Sequence, residues 1–319
     1  MLSWRWFAAR ISGAVVTLIG ATVVVFVVLR TIPGNAITAA LGIESGTLTA
    51  QQKASLAHFY GIDKPWIAQL WTWVSGVATG NLGISLTSGK TVSSLLGTAL
   101  PVTVELAVLA AVMGSAAGLL LGTFAGSRPG RFGDSAAQGF ALFGLAIPEF
   151  VLGTAVVAIL AQAFGYFPDT GTFVPLSQSL SGNLSQMFYP ALVLAVGFAA
   201  NTMRTTRSEY VEMAGADYVR TARGKGLRPM RIRMAHILRN AMIPIVTLTG
   251  IQFGYLLGGT VIVEQIFALP GVGRLLFTSI SNRDYPVVQA TVLVIAVLFV
   301  LVNLVVDGIY RLLDPRVSP

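Results

Sequence analysis

The chain contains no cysteine and only two histidines, His58 and His236. Disulfides, thiolate metal sites and a cysteine nucleophile are therefore excluded. No HExxH, GxSxG or His-rich metal spacing occurs either, so the signatures of zinc proteases and serine hydrolases are missing. An intramembrane protease needs a Ser–His pair or two aspartates within its spans, and neither is found. Charge is the next scarcity. Asp, Glu, Lys and Arg together make up 11% of the residues, where an ordinary soluble domain carries about 25%. Hydrophobic residues make up 54%, and the mean hydropathy is +0.75. Such a chain cannot solvate itself in water. It reads as an all-α membrane protein whose first partner is the lipid bilayer.

Acidic residues are fewer than basic ones, 13 against 21, which leaves a net charge of +8. Nucleic acid is one partner for such a surplus, but basic loops on the inner face of a membrane give the same total. With this hydropathy the second reading is taken, and no nucleic-acid partner is expected. Nine of the basic residues fall in one interval, 201–240: Arg204, Arg207, Arg220, Arg223, Lys225, Arg228, Arg231, Arg233 and Arg239. Apolar runs long enough to span a bilayer flank it, so the interval is expected in the cytoplasm. It is not a featureless polybasic tail. Val211, Ala214, Tyr218 and Ala222 fall three or four apart, a spacing that puts them on one face of a short helix. Gly224, Lys225 and Gly226 then break the pattern. The interval reads as a structured element built to dock on a partner.

Six spans are expected around it. Residues 11–29 run for 19 positions without a charge, long enough to cross at about 20 residues per crossing and too long for a signal-peptide core. They read as an uncleaved first helix with Trp4 and Trp6 at the inner interface. Residues 30–100 are expected outside, with a short helix over 51–60. A second helix over 65–77 carries Trp66, Trp71 and Trp73 and either lies on the outer surface or packs within the outer loop. In the same stretch Gly83, Gly89, Lys90 and Thr91 imitate a phosphate loop, but five residues separate the first glycine from the Gly-Lys pair instead of four,. An ATP site is not expected there. The second span is expected over 101–122, opened by Pro101 with Glu105 in its first turns. A short basic connection, 127–134, leads to the third, 140–164, which Pro148 and Glu149 should kink. An outer loop, 165–186, precedes the fourth span, 189–203, whose helix continues past the membrane boundary. The fifth span, 241–263, begins around Pro244 and carries Gly250, Gly254, Gly258 and Gly259, small residues that permit close helix contacts. The outer segment 264–286 is broken at Pro270, Gly271 and Gly273, so it should form a turn and helix. The sixth span is 287–306, and 307–319 is an inner tail. This topology places 15 of the 21 basic residues inside, which favours both termini in the cytoplasm.

Few ionisable groups fall within the spans. Glu149 reads either as an intramembrane functional carboxylate or as a structural one. Asp307 lies near the inner end of its helix, within reach of Arg311, and Glu105 lies near a helix N-terminus. A proton-coupled secondary transporter centred on Glu149 is therefore one reading.

Four stretches, 217–227 (DYVRTARGKGL), 238–244 (LRNAMIP), 269–275 (LPGVGRL) and 283–289 (RDYPVVQ), carry a family resemblance. Through them the chain resembles the integral membrane subunit of an ATP-binding-cassette importer, of the dipeptide/oligopeptide/nickel permease family. The start 60–65 (YGIDKP) and the tail 313–316 (LDPR) also fit. Importer permeases carry a cytoplasmic Glu-Ala-Ala-x-x-x-Gly loop. The matching positions here are Arg220, Thr221, Ala222 and Gly226, so a contact made by the family's Glu has no counterpart.

The resemblance implies a type I importer permease fold with six transmembrane helices and both termini cytoplasmic. It divides the chain into a first segment, 1–30, an extracytoplasmic region, 31–100, and a five-helix core, 101–319, with a coupling loop at 204–240. It implies a transport subunit of a peptide importer in the bacterial plasma membrane, with nickel or another small solute as the other cargo. The implied partners are a second homologous permease, two ATPase subunits and an extracytoplasmic substrate-binding protein. No catalytic residue, metal or cofactor belongs to this chain, since ATP and Mg sit on the ATPases. Gly215, Ala216, Asp217, Tyr218, Arg220, Thr221, Ala222, Arg223 and Gly226 are implied as the coupling residues. Tyr218 and Ala222 would pack into the ATPase cleft, and Arg220 and Arg223 would meet its acidic groups. Glu149, Gln252, Glu264 and Arg274 are the candidates for the translocation path or a gate.

Overall fold

Residues 4–31, 49–59, 61, 63–168 and 173–313 are described by the structure, a computed structural model. Their regular secondary structure is helical, apart from one isolated antiparallel bridge between Ile84 and Thr91. The helices are α1 (Trp4–Thr31), α2 (Ala50–Phe59), α3 (Trp66–Ala78), α4 (Val92–Gly126), α5 (Phe132–Ala146) and α6 (Glu149–Phe164). They continue with α7 (Leu180–Gly215), α8 (Asp217–Gly224), α9 (Pro229–Ile266), α10 (Val272–Ser281) and α11 (Tyr285–Leu313). Among the described residues, α1, α4, α7, α9 and α11 are long and apolar enough to cross a membrane, and α5 with α6 makes a sixth span if that bent pair is one crossing. The side chains of Trp4, Trp6 and Arg311, on which the expected interface placing and the Asp307–Arg311 pairing rest, and residues 314–319 lie outside what the structure describes.

Three boundaries differ from those read off hydropathy. Pro101 does not open its helix but lies inside α4, which starts at Val92. The fourth span starts at Leu180, inside the expected outer loop, where the Ser179 hydroxyl accepts from the Gly182 amide at 3.2 Å and caps the helix,. Pro244 lies inside α9, which starts at Pro229 within the basic interval. The turns from Ile232 to Leu238 are π-helical. The expected kink at Pro148 is a bend of 100° between α5 and α6. Proline clashes with a helical predecessor, and Ile147 takes an extended φ/ψ of −88/120° instead. Hydropathy reports where lipid is, whereas helices continue wherever backbone hydrogen bonds can be made, so the polar ends were missed.

The chain divides into two units, 1–102 with 270–300, and 103–269 with 301–319. In the first, Val92, Leu96, Ala99, Val272, Val287 and Ala290 form a buried core from the start of α4, from α10 and from α11. The segment that imitates a phosphate loop is a tight hairpin: the Ser85 amide donates to Lys90 O at 2.9 Å and the Val92 amide to Gly83 O at 3.0 Å. Its anion is internal. The buried Asp284 carboxylate accepts from Ser85 Oγ at 2.5 Å, the Leu86 amide at 3.1 Å and the Thr87 amide at 3.3 Å. In the turn after α2, the His58 ring donates to Asp63 and holds its carboxyl below the usual carboxylate range.

The second unit is organised by glycine. Gly114, Gly118, Gly122 and Gly126 repeat every four residues along α4, on one face,. A Cβ added to them would meet Phe198, Thr202, Thr206 and Tyr210 of α7 at 2.5–3.0 Å. These four partners also repeat every four residues, so two ridges interlock at nearly backbone-to-backbone distance. Ala137 and Ala141 of α5 pack with Ala125, Ala200 and Met203. The expected close contacts of the α9 glycines are found at two positions: a Cβ at Gly250 would lie 2.7 Å from Val306, and one at Gly259 would overlap the Glu149 carboxylate.

Candidate functional site

The candidate coupling residues converge on α8. Ala216, at φ/ψ −66/148°, breaks the chain away from α7. Asp217 then sits in the first turn of α8 and Arg223 in the last, each at the helix end whose partial charge it opposes. Gly226 follows with φ +73°, a left-handed conformation that suits glycine,. Gly215 and Gly226 thus flank the helix as expected. Val219 and Ala222, three apart, turn inward onto Tyr210, Ile232 and Ile237. Asp217, Tyr218, Arg220, Thr221 and Arg223 are exposed.

This corrects two expectations. The break at Ala216 means that Val211, Ala214, Tyr218 and Ala222 do not share one helix. Ala222 is buried in this chain's own cluster, so its methyl is not presented to a partner. Tyr218 keeps 40% of its surface exposed, and its hydroxyl donates to His236 O at 3.2 Å. That carbonyl lies in the π-helical stretch and also accepts from Asn240 Nδ2 at 2.8 Å. α8 is thereby tied to the start of α9. Beside it, a cavity of about 610 Å³ is lined by Ser127, Tyr210, Gly215, Arg223, Pro229 and Arg233, among others.

The candidates for the path fall in both units. Arg274 lies on α10 in the first unit, whereas Glu149, Gln252 and Glu264 belong to the second. Glu264, expected in an outer segment, is inside α9 with 0% exposure, and its carboxylate accepts from Thr103 Oγ1 at 2.6 Å. It is closed off from solvent within this chain. Glu149 is the first residue of α6, half-buried, with its carboxylate over Gly259 of α9. The Gln252 Oε1 is buried without a hydrogen-bond partner among the described residues. A separate cavity of about 360 Å³ opens among α4, α7, α9 and α11, lined by Ser115, Phe198, Thr202, Thr247, Gly250 and Phe253, among others. None of the four candidates lines it.

Sequence reasoning also passed over one ion pair. Arg207 donates from Nε to Asp134 Oδ1 at 2.5 Å and from Nη2 to Oδ2 at 2.8 Å. The Gly130 amide and Gln138 Nε2 complete the shell at 2.9 and 3.0 Å. This fork fastens the first turn of α5, and through the Gly130 amide the loop before it, to α7. Nothing local marks it, because its partners lie 73 positions apart.

Residues 118–319 match the family described as binding-protein-dependent transport system inner membrane component, and residues 3–107 match the family's N-terminal region. A probable peptide ABC transporter permease protein of Sinorhizobium fredii is 36% identical over 304 residues, 95% of each chain. The di/tripeptide transport system permease protein DppB of Pseudomonas aeruginosa is 36% identical over 336 aligned positions, 99% of each chain. The glutathione transport system permease protein GsiC of Escherichia coli is 34% identical over 308 residues, 97% of each chain. Among solved structures, an inward-facing MetNI methionine ABC transporter has a TM-score of 0.54 at 22% identity, covering 70% of this chain and 97% of that one. An amino acid ABC transporter crystallised with histidines has the same score at 17% identity, covering 69% and 94%. The helical architecture is that of these permeases, and the chain belongs to the binding-protein-dependent transport system inner membrane component family, as a multi-pass transport subunit of the bacterial inner membrane and not an enzyme.

Proposed function

We propose that the chain is the permease subunit of an ATP-driven peptide importer and forms half of the translocation pathway beside a second, homologous permease. The observation that carries the cargo is the agreement of relatives 34–36% identical over nearly their whole length, named as peptide, di/tripeptide and glutathione permeases. ATP and Mg are bound by two separate ATPase subunits. The loop from Gly83 to Thr91 supports this, because its amides are occupied by Asp284 rather than offered to a phosphate. A substrate-binding protein delivers cargo from outside. The basic residues concentrated in 201–240 support a cytoplasmic coupling element with both termini on the same side. On this reading 31–100 is extracytoplasmic and 101–319 is the permease core.

The exposed face of α8, with Tyr218, Arg220, Thr221 and Arg223, docks on the ATPase. Its buried face, Val219 and Ala222, passes the motion to α7 and α9. ATPase closure then biases a two-state membrane domain. Reversing both exposed charges, Arg220→Glu with Arg223→Glu, leaves the buried cluster intact. It should cut recovery of the ATPase with the tagged, detergent-extracted permease at least tenfold. Recovery at the wild-type ratio would remove α8 from the interface.

A further inference from the structure

The first unit contains a cavity of about 240 Å³ that neither coupling nor the candidate path uses. It lies among Arg30 at the end of α1, Lys64 and Trp73 at α3, Asn81, and Tyr285 and Gln289 of α11. Among the described residues its walls carry two cationic side chains and no carboxylate. Two donors in these walls have no partner among the described residues, the Trp73 indole Nε1–H and the Gln289 Nε2 amide. Gln289 is 5% exposed, so bulk water does not satisfy it. Native structures seldom leave such donors unmet.

The cation is held in place. Arg30 donates from Nε and Nη2 to Gln69 Oε1 at 2.9 and 2.7 Å, and its guanidinium lies 3.5 Å from the Phe26 ring centroid. Gln69 is fixed in turn by donating to Lys64 O at 2.7 Å. Indole, guanidinium and ammonium groups only donate. What completes such a set is an acceptor with several lone pairs and negative charge. The flat geometry of indole, amide and guanidinium suits a planar carboxylate, and the volume admits it with a short carbon chain.

We propose that this cavity binds the carboxylate of a small molecule, either the free C-terminus of a short peptide or a simple organic acid. The site stands whether or not peptides are the imported cargo. The full chain, labelled with 5-fluorotryptophan and held in lipid nanodiscs, carries five fluorine reporters, one per tryptophan. Trp73→Phe assigns the relevant one. Trialanine should shift the Trp73 signal saturably, while trialanine amide and inorganic phosphate should not. Gln289→Leu should weaken the apparent affinity about tenfold, the worth of one hydrogen bond to a charged acceptor. The remaining signals report that the variant keeps its fold, and the wild-type panel decides the matter if it does not. A shift with acetate as well means that the carboxylate alone is read. Silence with acetate means that the peptide backbone is read too. A Trp73 signal unmoved by trialanine and acetate overturns the proposal, as does an equal response to the amide or a stronger one to phosphate.

Discussion

Gly122→Ala adds one methyl group where there is no room for it. The new Cβ would lie 2.5 Å from Thr206 Cβ and 2.7 Å from the Met203 carbonyl oxygen. The second contact is backbone, so the helices must part. Overpacking of this kind costs about 1–3 kcal/mol. Gly139→Ala, in α5, is the control, because nothing lies within 4 Å of its added Cβ. There the gain in helix propensity, up to about 1 kcal/mol, acts alone. Unfolding of the two purified variants, followed by circular dichroism against temperature, should move the midpoint down for Gly122→Ala and not for Gly139→Ala. Equal midpoints would mean that the glycine ladder is not a tight seam. This ladder was legible in principle, since its four glycines stand at a regular spacing of four. Small residues are common in membrane helices, however, and only the facing ridge of Phe198, Thr202, Thr206 and Tyr210 gives the spacing its meaning.

Among the elements, the hairpin around Ser85 depends on a residue almost two hundred positions away. Asp284→Ala removes the acceptor of the Leu86 and Thr87 amides and of the Ser85 hydroxyl. Losing a buried, charged hydrogen-bond acceptor costs about 1–3 kcal/mol per donor left unmet. Hydrogen exchange at the peptide covering Leu86 and Thr87 should therefore speed up at least tenfold, while exchange in α7 stays unchanged. Unaltered exchange at the hairpin would mean that water replaces the carboxylate without cost. The five-residue spacing already speaks against a phosphate loop in this stretch, and the structure supplies the physical counterpart, an internal anion. Element boundaries were less legible. Pro101 and Pro244 were read as helix starts because proline favours a first turn, yet both lie inside longer helices. In α8 the periodic reading carried the phase of Val211 and Ala214 across the break at Ala216, and it therefore turned Ala222 outward. A break in φ/ψ resets the helical phase, and no apolar spacing reveals it.

For the whole molecule, the number of apolar crossings and the position of the basic interval were legible because lipid and charge act on composition. The meeting of Asp134 with Arg207, and of Thr103 with Glu264, was not, since tertiary pairing over such separations leaves no local trace. The family match and the fold agree on a permease in which a short helix with an exposed polar face, α8, follows α7 and a glycine seam joins α4 to α7. The most direct test is uptake of radiolabelled tripeptide by proteoliposomes that hold the chain purified together with its partner subunits. The account predicts uptake that needs both enclosed ATP and external binding protein and ignores an imposed proton gradient. It also predicts loss of uptake in the Arg220→Glu, Arg223→Glu variant, with the membrane helices still folded. Uptake driven by a proton gradient without ATP, or an undiminished rate in that variant, would contradict it.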